Sequence, residues 1–140
     1  MIGKYKRLFG LLFALSGVVL LTGAALMKTP PPIPLPEGVS KDRAQEVVLA
    51  AIAYRGWEPG KIENQALVAT LAIRKHMIKM IIDFSGDAVS FRYKESINMK
   101  YLERSGLQYI HGNYNTWTQV LADDIAAGLT KPAGVDAGQQ

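Results

Sequence analysis

Apolar positions recur along this chain with four different rhythms. Leu8–Met27 is an unbroken run of twenty uncharged residues, LFGLLFALSGVVLLTGAALM. Thr29–Gly38, TPPPIPLPEG, follows with five prolines, which block helix and central strand alike. From Ala44 the spacing becomes helical: Ala44, Val47, Val48, Ala51 and Ile52 share one face. Ser40 offers an N-cap oxygen, and Arg55-Gly56 ends that helix after about Tyr54. Next, WEPGKIEN opens on Trp57 and is interrupted by Pro59-Gly60, so it reads as a short edge strand or an extended entry. Period two then takes over. Leu67, Ala69, Leu71 and Ile73 oppose Val68, Thr70, Ala72 and Arg74, and Ile78, Met80, Ile82 and Phe84 oppose Met77, Lys79, Ile81 and Asp83. In a third strand, Val89, Phe91, Tyr93 and Ile97 oppose Ser90, Arg92, Lys94 and Ser96. Asn64-Gln65, Lys75 and Ser85-Gly86-Asp87 mark the turns. Asn98–Gly112 has no clear period. Asn113 or Asn115 can cap a last helix to about Leu129, with Trp117, Val120, Leu121, Ile125 and Leu129 as its stripe.

These elements predict an α+β fold: an antiparallel three- to four-stranded meander with an N-terminal and a C-terminal helix packed on one face. The expected organisation is a signal peptide or N-terminal membrane anchor over 1–28 and a Pro-rich linker over 29–38. An α+β domain over 39–130 and a disordered tail over 131–140 complete it. In an extended polyproline conformation the linker would hold the domain roughly 30 Å from a membrane.

The first run sets the compartment. Lys4, Lys6 and Arg7 precede it, which is the layout of a secretory signal, and small residues from Thr22 to Ala25 offer a cleavage site. Twenty helical residues also cover roughly 30 Å, enough to span, with the basic flank on the cytoplasmic side. Both readings export the rest, to the periplasm or to a membrane-anchored position facing it. Leu21-Thr22-Gly23-Ala24 has the form of a lipobox with Ala24 at the position of the lipidated Cys. The chain has no Cys, so no thioether forms there as written. Either the natural chain is unlipidated or a Cys has been replaced.

Charge changes its meaning once it is divided. Lys4, Lys6, Arg7 and Lys28 account for the whole net charge of +4, since residues 29–140 hold twelve basic and twelve acidic side chains. A basic pI near 9.4 therefore belongs to the leader and gives no ground for a nucleic-acid partner. No metal-ligand spacing, phosphate loop or nucleophile elbow is present, so no cofactor and no catalytic residue is expected. Asp123-Asp124 diverge on a helix and read as solvated surface.

Two candidate binding regions remain. Ser96–Trp117 is dense in polar and aromatic side chains, with Ser96, Asn98, Tyr101, His111, Tyr114, Asn115 and Trp117 as binding candidates. They could equally knit the loop to the sheet. Alternatively, a pocket around His111, Tyr101 and Tyr114 would suit a ligand sensor or a small enzyme. The second region is a basic sheet face of Arg74, Lys79, Arg92 and Lys94, suited to anionic surfaces. An ordinary wet face would carry the same residues.

Arg55-Gly56-Trp57, Ser96-Ile97-Asn98, and Ile110-His111 with Tyr114-Asn115 and Trp117 together resemble segments of small envelope lipoproteins of proteobacteria. The resemblance spans roughly Lys41 to Leu129. It implies a periplasm-facing α+β domain, with no activity to carry over. The reading is a non-enzymatic binding or structural module of the bacterial envelope. Its expected partners are a membrane through the N-terminal segment, and an envelope protein or cell-wall component.

Overall fold

Ser40 starts the first helix, as its side chain predicts. In the computed structural model, which describes residues 23–132, the Ser40 hydroxyl accepts from Arg43 N at 3.1 Å and α1 runs Lys41–Tyr54. Gly56, with φ +76°, closes the helix, and Trp57 N returns to Ile52 O. Trp57 is buried, and β3 (Glu58–Pro59) follows as the expected edge strand, pairing with Thr70 and Ala69. The strands β4 (Ala66–Ile73), β5 (His76–Asp83) and β6 (Ala88–Ile97) form an antiparallel meander. The last helix, α2, is Asn113–Thr130. Both helices share one core with Leu67, Ala69, Leu71, Ile78, Met80, Ile82, Val89 and Phe91 of the meander.

The α+β class holds, but the sheets exceed the expected meander. Among the described residues eight strands make two antiparallel sheets. One has five strands in the order β2-β6-β5-β4-β3, where β2 is Ile33–Pro34. The other has three, in the order β1-β8-β7, from Ala24–Leu26, Leu107–His111 and Leu102–Arg104. The stretch without a period is thus a hairpin, turned by Ser105 (φ +53°) and Gly106 (φ +75°). Ser-Gly was its turn signal. Its strands are too short, and β7 too exposed, to alternate visibly.

The Pro-rich stretch is not a spacer. Pro30 is buried, Ile33 pairs with Val89, Leu35 N donates to Asp87 O, and Ile33 and Leu35 pack on the core. Proline suits this edge position, since β2 needs few donors. Ala24–Leu26 likewise lies inside the folded unit as β1, so the boundaries expected at 28 and 38 both fall within the domain. The leader up to Thr22, and the tail beyond Pro132, lie outside the described residues.

One local feature reverses part of β6. Lys79 faces Glu95 while Met80 faces Tyr93, so Lys94 is the extra residue of a β-bulge. Beyond it the alternation flips. Ser96 turns inward and bonds Tyr93 Oη at 2.9 Å, whereas Ile97, expected in the core, is 53% exposed.

Candidate functional site

The Ser96–Trp117 cluster separates into structural side chains and a cleft. Tyr114 is fully buried, packs edge-on to Tyr93 at 5.9 Å and bonds Thr29 Oγ1 at 2.9 Å. Burial raises its phenol pKa. Asn115 caps nothing; its side-chain carbonyl accepts from Lys28 N at 2.7 Å and its amide donates to Leu26 O at 2.9 Å. These two bonds imitate a strand partner for the N-terminal segment. Trp117 packs half-buried against the core. Tyr101 stacks on Tyr93 at 4.7 Å, donates to Glu103 and accepts from Gln108. The bond to Glu103 raises its pKa. None of these four lines the cleft at His111.

His111 and Asn98 do line one. They meet Lys75, His76 and Lys100 around an open cleft of about 490 Å³. The two rings, thirty-five positions apart in sequence, lie with centroids 5.8 Å apart, tilted by 45°. Three turns converge here. His76 begins β5, right after the β4–β5 turn; Asn98 and Lys100 sit between β6 and β7; His111 ends β8. Asn98 (φ +56°) and Lys100 (φ +54°) both adopt left-handed backbone, a conformation that costs roughly 1 kcal/mol for a lysine. Between them Met99 is buried and its carbonyl accepts from His111 N at 2.6 Å.

Hydrogen bonding assigns the neutral tautomers. His76 Nδ1 lies 2.7 Å from Asn98 O, which can only accept, so Nδ1 carries a proton and, in the neutral ring, Nε2 is the acceptor. His111 Nδ1 accepts from Asn113 N at 3.1 Å, so its proton is on Nε2. The pair therefore offers one acceptor and one N–H. A metal shared by both rings through Nε2 would require His111 to move its proton and give up the bond from Asn113 N. Among the described residues no group of three or more His, Asp or Glu is placed to hold a metal. The side chain of Asn98 donates to Lys75 O at 2.8 Å and braces the rim.

The expected basic face is dispersed. Arg74 sits in the β4–β5 turn with φ +55°, and Lys94 is the bulge residue. Lys79 pairs with Glu95 at 3.1 Å. Arg92 lies near enough to Asp83 to help lower that carboxyl, after the dominant Ser85 hydrogen bonds. Between them the face carries the apolar pairs Val68–Ile81 and Ala72–Met77. Asp124, read as solvated surface, instead takes two bonds from Arg55, at 2.5 and 3.1 Å, and ties α2 to the end of α1. That bond lowers the Asp124 pKa and raises that of Arg55. A second depression, of about 410 Å³, lies between the helices over Val47, Ala51 and Gly128.

Sequence inspection missed Lys75, His76 and Lys100 as site residues. Only the Ser-Gly hairpin and the left-handed turns bring them to His111. Compared with family models, curated proteins and solved structures, the chain matches none. Among the described residues no helix is long and apolar enough to cross a membrane.

Proposed function

We propose that this chain is an exported, membrane-attached binding module without chemistry of its own. Its cleft takes an anionic oxygen group of the phosphate type. The observation that carries the reading is the convergence of Lys75, Lys100, His76 and His111 on one open cleft. Lys75 and Lys100 give the rim of the cleft positive charge and the His111 Nε2–H donates to oxygen, while the His76 Nε2 of a neutral ring accepts from a hydroxyl or ammonium on the same ligand. Export and attachment are supported by the basic flank and apolar sequence of the leader. Kinship with the envelope lipoproteins is part of the same proposal, carried by Ile110-His111, Tyr114-Asn115 and Trp117. A mass spectrum of the protein from its native envelope would read whether the leader is retained.

The cleft is tested by titrating inorganic phosphate into the full chain in nonionic micelles and following the imidazole resonances. Saturable shifts at His76 and His111, lost in a Lys75→Gln/Lys100→Gln variant that keeps its fold, are the expected result. Resonances that stay still well past millimolar phosphate would remove the reading.

A further inference from the structure

Among the described residues, one face of the three-stranded sheet leaves its leucines half exposed. Register places Leu102, Tyr109 and Leu26 side by side across β7, β8 and β1, with Leu107 and His111 on the same face of β8. Leu26, Leu102 and Leu107 are 46, 48 and 49% exposed. They are three of the five large apolar side chains this exposed among the described residues, and all belong to this small sheet. The opposite face, with Ile110 buried and Gln108 and Glu103 bonded to Tyr101, turns toward the rest of the domain. Cations border the open face. Arg104 faces Leu107 in the hairpin register, and Lys100 and Lys75 line the cleft beside His111.

The same sheet is where the chain enters the domain. Gly23 directly precedes β1 and sits so close to Lys100 that a Cβ there would fall 2.5 Å from the ammonium nitrogen. The apolar sequence Leu8–Thr22 joins it with no spacer, because the Pro-rich stretch packs onto the domain downstream. With residues 24–27 claimed by the fold, the run left from Leu8 to Gly23 is sixteen residues. As a helix it would measure about 24 Å, less than the roughly 30 Å hydrocarbon core. A segment that short, with no slack behind it, draws whatever follows onto the headgroups.

We infer that the outer face of the β1-β8-β7 sheet lies on the bilayer surface. Leu26, Leu102, Leu107 and Tyr109 enter the headgroup layer there, and lipid phosphates are the anions that the cleft takes. This rests on the reading of the chain as membrane-attached with an anion-binding cleft. The occupant follows from what surrounds the face. A leucine row rimmed by Lys75, Lys100 and Arg104, adjoining an apolar leader, is complementary to an anionic lipid surface: apolar beneath, phosphate above.

The absence of Cys permits a clean test on the full chain. Single Leu107→Cys and Glu46→Cys variants, the second on the helix layer, are labelled with a small fluorophore. Each is reconstituted in vesicles of equal parts phosphatidylcholine and phosphatidylglycerol carrying a headgroup-level quencher. The Leu107 label should be quenched and the Glu46 label spared. Lys75→Gln/Lys100→Gln should lower the Leu107 quenching at least severalfold. Leu26→Ser and Leu102→Ser should each weaken docking about fivefold, from loss of the exposed half of a leucine. Equal quenching at both labels, or none at Leu107, overturns the docking. Quenching that ignores the two lysines overturns the role of lipid phosphate. The phosphate titration in micelles separates the two readings: imidazole shifts without quenching leave the cleft as an anion site and remove only the membrane face, and absence of both removes both.

Discussion

Asn115 is the residue that makes residues 24–30 part of the domain, and its removal has a calculable effect. Asn115→Ala deletes two hydrogen bonds, from Lys28 N and to Leu26 O. Each neutral bond of this kind is worth about 1 kcal/mol net. Detaching residues 24–30 should therefore become easier by about 2 kcal/mol, or about 30-fold in the local opening equilibrium. Native-state hydrogen exchange reads that equilibrium directly. The informative amide is Met27 N, which donates to Gln108 O at 2.8 Å and does not touch Asn115. Its protection should fall about 30-fold, while amides of β4 and β5 change far less. An unchanged Met27 would show that Asn115 does not hold the segment. Equal acceleration throughout β4 and β5 would show that the segment does not open on its own.

Gly128→Ala would stabilise an open helix by about 1 kcal/mol. Here the new Cβ would lie 2.6 Å from Val47 Cγ1. Overpacking of roughly 1–3 kcal/mol wins, so urea unfolding followed by buried Trp57 should show a net loss of about 1 kcal/mol. Adding Val47→Ala should give a coupling of similar size and opposite sign, and a Gly128→Ala chain more stable than its parent would refute the close helix approach. Acid should also act through Asp83. The Ser85 hydroxyl and amide, at 2.6 and 2.8 Å, hold its carboxyl below the ordinary range. That contribution, under about 1 kcal/mol for so exposed a group, is complete above the unfolded pKa near 4. It is lost as pH falls through the lower folded value. Asp83→Asn should flatten this part of the acid limb, and an unaltered limb would count against the assignment.

Legibility followed the range of the interactions. Ser40, Gly56 and the faces of α1, β4 and β5 were readable because caps and two- or 3.6-residue periods are local. Ile97 and Ser96 were misplaced by a single bulge at Lys94, which shifts phase without leaving a mark in composition. Of the residues named from the sequence, His111 and Asn98 line the cleft, whereas Ser96, Tyr101, Tyr114, Asn115 and Trp117 are packed or hydrogen-bonded within the domain.

By itself the sequence determined the division of charge, the two helices and the central meander, since each depends on neighbours within a few positions. Tertiary structure decided the rest. Pro30 to Leu35 become an edge strap only because β6 offers an unpaired edge. Ala24–Leu26 become a strand only because β8 and Asn115 supply partners more than eighty residues away. His76 and His111 form one cleft only because three turns, two of them with left-handed non-glycine residues, end at the same corner. Long-range pairing of this kind has no period to read, and it is what converts an expected spacer into part of the domain.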